Sequence, residues 1–574
     1  MKKIISYSFS FLLFVLVQLC CMSCSDYFNP TTDDELENDH YISSKTEMYT
    51  GFLGIMTRLQ AIGDKEILLT ETRSEAIEPT DDSSSELIAL HNYNDDLSGN
   101  SYANPAGYYD VIIACNDYMN KMYEYKTRYT DAVEDTVYSA LVSSALRIKA
   151  WTYKTLNEIY GEAYWFDGAV TKVENIKDSL KYQHLYGEEI IDKCLQLMDN
   201  GFQGVNSKEV INWIKWLDPD NENNIANSSY RKWNWMIPPY EGVYAELCLW
   251  KGAYLDAKGI DAKAYYKTAS DELLSAINVY MCNSSYVTSG YFCPGAPTPG
   301  HYASFWDYAQ PYQAECAAAL IYDYTNNQTN TLLHHFSNEY PNKYLLRPTQ
   351  AARDRFSGET TNPGSSEGTT DKRFSVCIKQ NDGSYYVSKF RPVGSSVRTN
   401  AYQDDVHIYL YRATQYHLML SEALNHQKRY TAADAEHKQG VANAFILDTK
   451  ADSVQWEGFN QDWTSSASWG TRKYPNTGIR GCQGLSSRNF LTNDYDGRDL
   501  PGGTLRNNDE AIADEYMLEM YCEGKAYPAL IRNAIRYNDP DFVANRVVGK
   551  YSASLQATIK AKIEQGAYFV PWEM

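Results

Sequence analysis

Apolar residues recur at helical spacing through most of the chain. In YYDVIIACNDYMNKMYEY (108–125), Val111, Ile112, Cys115, Tyr118, Met119 and Met122 share one face. In SALVSSALRIKAWTYKTLNEIYG (139–161), Leu141, Ala145, Ile148, Trp151, Leu156 and Ile159 do the same, and Gly161 stands where a C-cap glycine would end the helix. EGVYAELCLWKGAYLDA (241–257) with AYYKTASDELLSAINVY (264–280), and IYLYRATQYHLMLSEALNHQKRY (408–430) with TAADAEHKQGVANAFI (431–446), form two further helix pairs. A late helix covers 513–535 and is interrupted near Gly524 and Pro528. Between these segments run stretches without period, at 70–105, 201–237, 282–315, 326–405 and 452–508. They hold Trp, Tyr and Pro rather than low-complexity sequence, so they predict ordered insertions on a helical frame.

Helix pairs of about 34 residues, with Ala at close crossings and Tyr or Leu at wide ones, resemble divergent tetratricopeptide repeats. The expected fold is therefore all-α, with helix pairs as scaffold, long irregular loops and little or no sheet. The body is expected to span 45–574 as one unit.

The N-terminus changes the picture of where this body works. Lys2 and Lys3 precede an apolar stretch from Ile4 to Leu19, and Ser23 precedes Cys24. That is a signal peptide over 1–23, too short to span a membrane as a helix. A cysteine at the cut predicts lipidation on Cys24, with 24–44 as a tether. An ordinary signal peptide with a passenger cysteine is the alternative reading. Cys20 and Cys21 are rival acceptors, each behind a bulkier residue. Acyl chains bury at about 0.8 kcal/mol per methylene, so several of them hold a soluble body on a membrane.

The net charge is −21 and becomes more negative once Lys2 and Lys3 leave with the leader. Such a surface repels nucleic acid and anionic lipid. Tyrosine is the outlier, at 49 against 18 Phe and 12 Trp. It joins a flat apolar face to a hydroxyl, the combination that sugar rings and wet interfaces require, although most of these rings are expected to pack between helices. Of the 12 Cys, the nine beyond Cys24 are scattered and form no C-x-x-C pair, so no zinc or redox motif is signalled. Cys282 and Cys293 could staple one loop.

Several blocks then resemble one family, the RagB/SusD outer-surface nutrient-binding lipoproteins of Bacteroidetes. They are CSDYFNP (24–30), the 108–122 helix, ALRIKAWTYKTLNEIYGEAYWFD with Arg147, Ala150 and Gly161, IYLYRATQYHLMLSEALN with Arg412, Leu418, Glu422, Ala423 and Asn425, DEAIADEYMLEMYCEGKAYPALIR with Glu515, Glu519, Glu523, Gly524 and Leu530, and the closing GAYFVPWEM. Lys525 stands where the family usually has Arg, Ala529 where it usually has Asp, and GEAYWFD replaces the usual GDVPL tract. The resemblance implies a hinged lid over a TonB-dependent outer-membrane transporter, a SusC-like partner. Such a lid captures oligomers, mostly glycans, and has no catalytic centre. Some members carry peptides instead, which an acidic surface would suit.

The loop SGYFCPGAPTPGHYASFWDYAQPY (289–312) is the first ligand-binding candidate. Its Tyr291, Trp306, Tyr308 and Tyr312 sit among Pro and Gly that stiffen the backbone and lower the ordering cost of binding. The early loop 71–96 is second: Arg73 with Glu71 could bond hydroxyls, and Tyr93 could stack. The four Trp of 212–236 (213, 216, 233 and 235) read as buried anchors before they read as a second platform. Two acidic strings, Asp218 to Asn224 and Asp494 to Asp499, lack the full calcium-loop pattern, so solvated turns are expected rather than a bound ion. No cofactor is expected. No G-x-S-x-G elbow, H-E-x-x-H or phosphate loop occurs. His334-His335 have no evident third ligand, and the adjacent pairs Asp81-Asp82 and Asp404-Asp405 point in different directions, so no enzyme is expected.

Overall fold

The computed structural model describes residues 42–168, 182–209, 236–282, 306, 316–358, 371, 373–390, 404–437, 479 and 504–572. Of these, 61% are helical and 9% lie in strands. The long helices are α1 (Lys45–Ala61), α2 (Ala106–Arg128), α3 (Asp135–Tyr160), α4 (Glu188–Asn200), α5 (Tyr240–Ala257), α6 (Lys263–Cys282), α7 (Ala413–His426), α8 (Tyr430–His437), α9 (Thr504–Glu519) and α10 (Ala526–Arg536).

From α1 to α8 each helix packs on the next one in this order. That is the stacking expected of tetratricopeptide-like pairs, where no single pair can bury its own apolar face. α9 and α10 then close the stack, α9 against α7 and α10 against α5. The buried apolar residues of all these helices form one continuous core cluster. Helix α3 is its axis: every residue from Ala140 to Tyr160 is buried. It ends where the pattern predicts, at Gly161 with φ +70, whose N–H bonds the Asn157 carbonyl. A Cβ there would meet the Phe569 ring at 2.6 Å, so both conformation and space require glycine. The late helix is two helices, and the break is made by Cys522 (φ 58) and Gly524 (φ 78). Pro528 sits in the first turn of α10, where its missing N–H costs nothing.

One expectation needs correction. The helix drawn over 408–430 begins at Ala413; Ile408–Arg412 is instead strand β8. IYLYR is a short apolar run rich in β-formers, and all five residues are buried. Such a run does not separate strand from buried helix by period. In chain order the strands are β1 (Ile77–Pro79), β2 (Glu162–Trp165), β3 (Gln183–Tyr186), β4 (Cys316–Leu320), β5 (Leu346–Pro348), β6 (Ile378–Asn381), β7 (Ser384–Val387) and β8. They form four antiparallel two-stranded ladders, β1–β5, β2–β3, β4–β8 and β6–β7. Two of these, β1–β5 and β4–β8, tie together segments more than 80 residues apart in sequence.

Cys115, Cys194, Cys248, Cys316, Cys377 and Cys522 are buried, as small hydrophobes are. Cys293 lies outside the described residues, and the expected staple with it.

Candidate functional site

Aromatic contacts from two sides meet at a short helix, Leu332–Phe336. On one side His335 Nε2 lies 3.0 Å from the hydroxyl of Tyr102, in the aperiodic stretch 70–105. His335 Nδ1 faces the Thr331 carbonyl at 2.7 Å, so Nδ1 donates and Nε2 accepts. Burial lowers the pKa of His335 and keeps it neutral. The His334-His335 pair is thus structural. Among the described residues no group of three or more His, Cys, Asp or Glu is placed to hold a metal ion. Asp405 of the 404–405 pair accepts from the Tyr324 backbone N–H at 3.1 Å. Burial, then the charge of Asp405, raises Asp404 to about 6.

On the other side of the short helix, Phe336 stacks on Phe390 at 5.6 Å. Phe390 meets Trp306 edge-on at 6.1 Å, and Trp306 meets Tyr409 edge-on at 5.3 Å. Lys389 Nζ lies 4.3 Å from the Trp306 ring centre and the Arg412 guanidinium 5.7 Å. Trp306 is only 2% exposed. It anchors the aromatic loop to the body and has no open face to offer a ligand. This corrects its expected role. Tyr291, Tyr308 and Tyr312 lie outside the described residues, as do the four Trp of 212–236 and both acidic strings.

Beneath Trp306 is a buried ionic network. Arg412 donates to Glu523 at 2.8 Å and Glu519 at 3.0 Å. Lys389 donates to the Tyr521 carbonyl at 3.0 Å and to Glu523. Arg373 donates to Glu515 at 2.8 Å, Glu519 at 2.7 Å and Asp371 at 2.8 Å. Burial alone would lower the pKa of Arg373, but the carboxylates of Asp371, Glu515 and Glu519 outweigh it and hold it well above the usual value. For Glu523, burial raises the pKa, and Arg412 with Lys389 more than offset this. Buried charges persist only when paired in this way. The result is a fully paired, buried charged layer beside Trp306.

The early loop is corrected as well. Arg73 and Tyr93 are each 1% exposed. The Arg73 guanidinium covers the Tyr93 ring at 3.9 Å and donates to the carbonyls of Ala567 (2.6 Å) and Phe569 (3.0 Å). The Tyr93 hydroxyl donates to the Arg73 carbonyl at 2.6 Å. Glu71 is buried too, accepts from the Gly524 N–H at 2.8 Å and from Ser74, and is raised by burial to about 7. These residues clamp the C-terminal segment, and partners nearly 500 residues away made that invisible in sequence.

One strongly exposed ring, in the turn after the short helix, was not singled out in the sequence. Tyr340, in the NEYPN turn that follows the short helix, is 94% exposed. Its loop is held by the Lys343 N–H on the His334 carbonyl (3.2 Å) and by Thr80, whose N–H bonds the Leu345 carbonyl (3.0 Å) and whose hydroxyl bonds that of Tyr344 (2.6 Å). Nearby, Tyr344 donates to the Tyr385 carbonyl, and Arg353 covers the Tyr385 ring at 4.4 Å. The signal in sequence was a tyrosine beside proline in a polar turn, with no apolar period to bury it.

No family model matches the chain. No curated protein matches it either. Solved structures do. A SusD superfamily protein from Bacteroides vulgatus is similar at TM-score 0.58 and 11% identity, over 92% of this chain and 95% of that one. A SusD homolog from Bacteroides thetaiotaomicron is similar at TM-score 0.57 and 12% identity, over 96% and 99%. A laminarin-binding SusD-like protein is similar at TM-score 0.52 and 14% identity, over 91% and 98%. The chain has the SusD fold.

Proposed function

We propose that the protein is a cell-surface glycan-binding lipoprotein. It is anchored through Cys24 and passes captured oligosaccharide to a TonB-dependent outer-membrane transporter. The observation that carries this reading is Tyr340, 94% exposed in the turn that follows the short helix Leu332–Phe336, whose Phe336 stacks on the Phe390–Trp306 aromatic cluster. A ring that is already ordered and solvated on one face stacks on the C–H face of a sugar at little entropic cost. A structural neighbour described as laminarin-binding adds weight to a carbohydrate ligand. The role is capture and not catalysis, in line with the absence of any recognised catalytic motif in the sequence. Among the described residues no helix is long and apolar enough to cross a membrane.

The test is calorimetry and affinity electrophoresis of the chain from residue 25 onward, against a panel of polysaccharides and a casein digest. Retention by one glycan class, weakened by Tyr340→Ala with unchanged Tm, supports the reading. Retention by peptides alone moves the protein to peptide uptake, the second reading, which the net charge of −21 favours for basic peptides. Cys24→Ala is expected to release the protein from the membrane fraction; continued sedimentation with membranes overturns the anchor.

A further inference from the structure

Far from Tyr340 in the chain, the β2–β3 hairpin carries a second ordered aromatic surface. Its inner face buries Ala163, Trp165 and Leu185. Trp165 stacks on Tyr153 of α3 at 4.1 Å, and the Tyr164 N–H bonds the Tyr109 hydroxyl of α2 at 3.0 Å, so the hairpin is fixed to the frame. The outer face carries Glu162, Tyr164, His184 and Tyr186, with Glu162 opposite Tyr186 and Tyr164 opposite His184. Tyr164 and His184 stack at 4.5 Å with 15° between their planes, and His184 lies 4.5 Å from Tyr186. His184 Nε2 is 2.9 Å from Glu162, and Nδ1 is 3.1 Å from the Tyr186 hydroxyl. A carboxylate only accepts, so Nε2 donates to it, and the Tyr186 hydroxyl bonds the other ring nitrogen, Nδ1. Tyr186 is thereby held by stacking and by a hydrogen bond while 56% of it stays exposed. A large aromatic that is immobilised and uncovered is what a stacking platform needs.

Beside it, between β3 and α4, lies a shallow, open depression of about 520 Å³ lined by Gln183, His184, Glu189, Asp192, Lys193 and Gln196, with Leu185 as its apolar member. That volume falls in the roughly 300–1,000 Å³ range of small-ligand sites. The lining is also preorganised: Glu189 accepts from the Tyr186 N–H at 3.0 Å, and Asp192 pairs with Lys251 at 2.6 Å. Amides, carboxylates and one ammonium offer donors and acceptors together. This suits a neutral polyol, whose every hydroxyl both gives and takes a hydrogen bond. It does not suit a phosphate, which needs several cations, or an acyl chain, which needs an apolar wall.

We propose that the β2–β3 hairpin and the start of α4 form a second glycan subsite, with Tyr186 stacking on a pyranose ring and the depression bonding its hydroxyls. The subsite rests on the glycan reading of the preceding subsection but uses none of the Tyr340 face. Two separated subsites would hold a polymer by avidity with modest affinity at each.

The test is hydrogen–deuterium exchange of the chain from residue 25 onward, at saturating laminarihexaose, maltohexaose, cellohexaose and mannohexaose in turn. The expected result, with at least one of these, is protection of amides in 183–196 that Tyr186→Ala and Gln196→Ala abolish while protection elsewhere persists. Tyr186→Ala is expected to keep the wild-type Tm, and to weaken retention on the matching polysaccharide about tenfold. Protection confined to other loops, or 183–196 protection that survives both substitutions, overturns the subsite and leaves the glycan reading standing. No protection anywhere with any probe counts against that reading and takes this subsite with it.

Discussion

Trp306→Ala separates an anchor from a ligand contact. The indole is 2% exposed, meets Phe390 and Tyr409 edge-on, and lies beside Lys389 and Arg412. Truncating a core Trp removes its transfer energy and leaves a cavity, about 3–5 kcal/mol together. The two nearby cations lose a ring face, worth about 1–2 kcal/mol in a desolvated setting and already partly included in that range. We therefore expect a loss of about 4 kcal/mol. Unfolding entropy is about 2.1 cal/mol/K per residue, or about 1.2 kcal/mol/K for a chain of this length, so Tm should fall by about 3–4 °C. Differential scanning calorimetry of wild type and variant, beside an affinity measurement on the best glycan, decides the matter. A variant that keeps its Tm within about 1 °C and binds tenfold more weakly would refute the reasoning: Trp306 would then act on the ligand as its loop context first suggested.

Three further perturbations probe the buried polar frame. Arg73→Met leaves the Ala567 and Phe569 carbonyls without their donor and should cost about 2–4 kcal/mol in urea unfolding with glycan affinity unchanged. Weaker binding at unaltered stability would return Arg73 to the ligand site. Glu422 accepts from Arg532 at 2.9 Å and from Arg536, and these cations overcome burial to hold its pKa far below the usual range. Its unfolded value is near 4.3, so the unfolded chain takes the proton first and this contribution is lost as pH falls below about 4. Glu422→Gln should remove that acid slope and cost about 3–5 kcal/mol at pH 7, read from urea midpoints; an unchanged midpoint at pH 7 would disprove the pairing. His91 is held down to about 2, by burial first and then by the charge of Lys550. With an unfolded value near 6.5, stability should fall by about 1.4 kcal/mol per pH unit below that point, and His91→Gln should flatten the slope between pH 6.5 and 5; a slope identical to wild type would show that another group is responsible.

The helical frame was legible because its evidence is local. Periods of apolar residues and a glycine at 161 place α2, α3, α5 and α6 to within a few residues. Strand β8 was not legible, because IYLYR continues the apolar run of α7, and only pairing with β4 reveals it. The site was read from residue type, and that is where the reading failed. Arg73 and Tyr93 look like ligand groups in a polar loop, yet they are satisfied by Phe569 and Tyr527, which nothing near them in sequence announces. Trp306 stands among Pro and Gly, and its burial depends on Phe390 and Tyr409. Tyr186 and Tyr340 are the converse case: a polar turn beside proline is all that marks the exposed Tyr340 in sequence, and nothing local marks Tyr186.

The motif positions that carried the family resemblance explain why it located a scaffold and not a ligand. Arg147 donates to the carbonyls of Pro238 (3.0 Å) and Ser207 (2.7 Å). Asn425 donates to the Leu505 carbonyl at 3.0 Å and Asp509 at 2.8 Å. Glu422 holds Arg532 and Arg536, and Glu515, Glu519 and Glu523 hold Arg373, Arg412 and Lys389. Every one of these polar groups is buried and joins distant segments. Even the departure at Lys525 keeps a buried pair, with Glu66 at 2.6 Å. A buried charge whose partner is lost is expensive, so such residues specify the frame tightly. The exposed rings of Tyr340 and Tyr186 carry no such penalty, and a chain can change them without unfolding. On the proposed reading, ligand specificity would therefore belong to the positions that the motifs leave out.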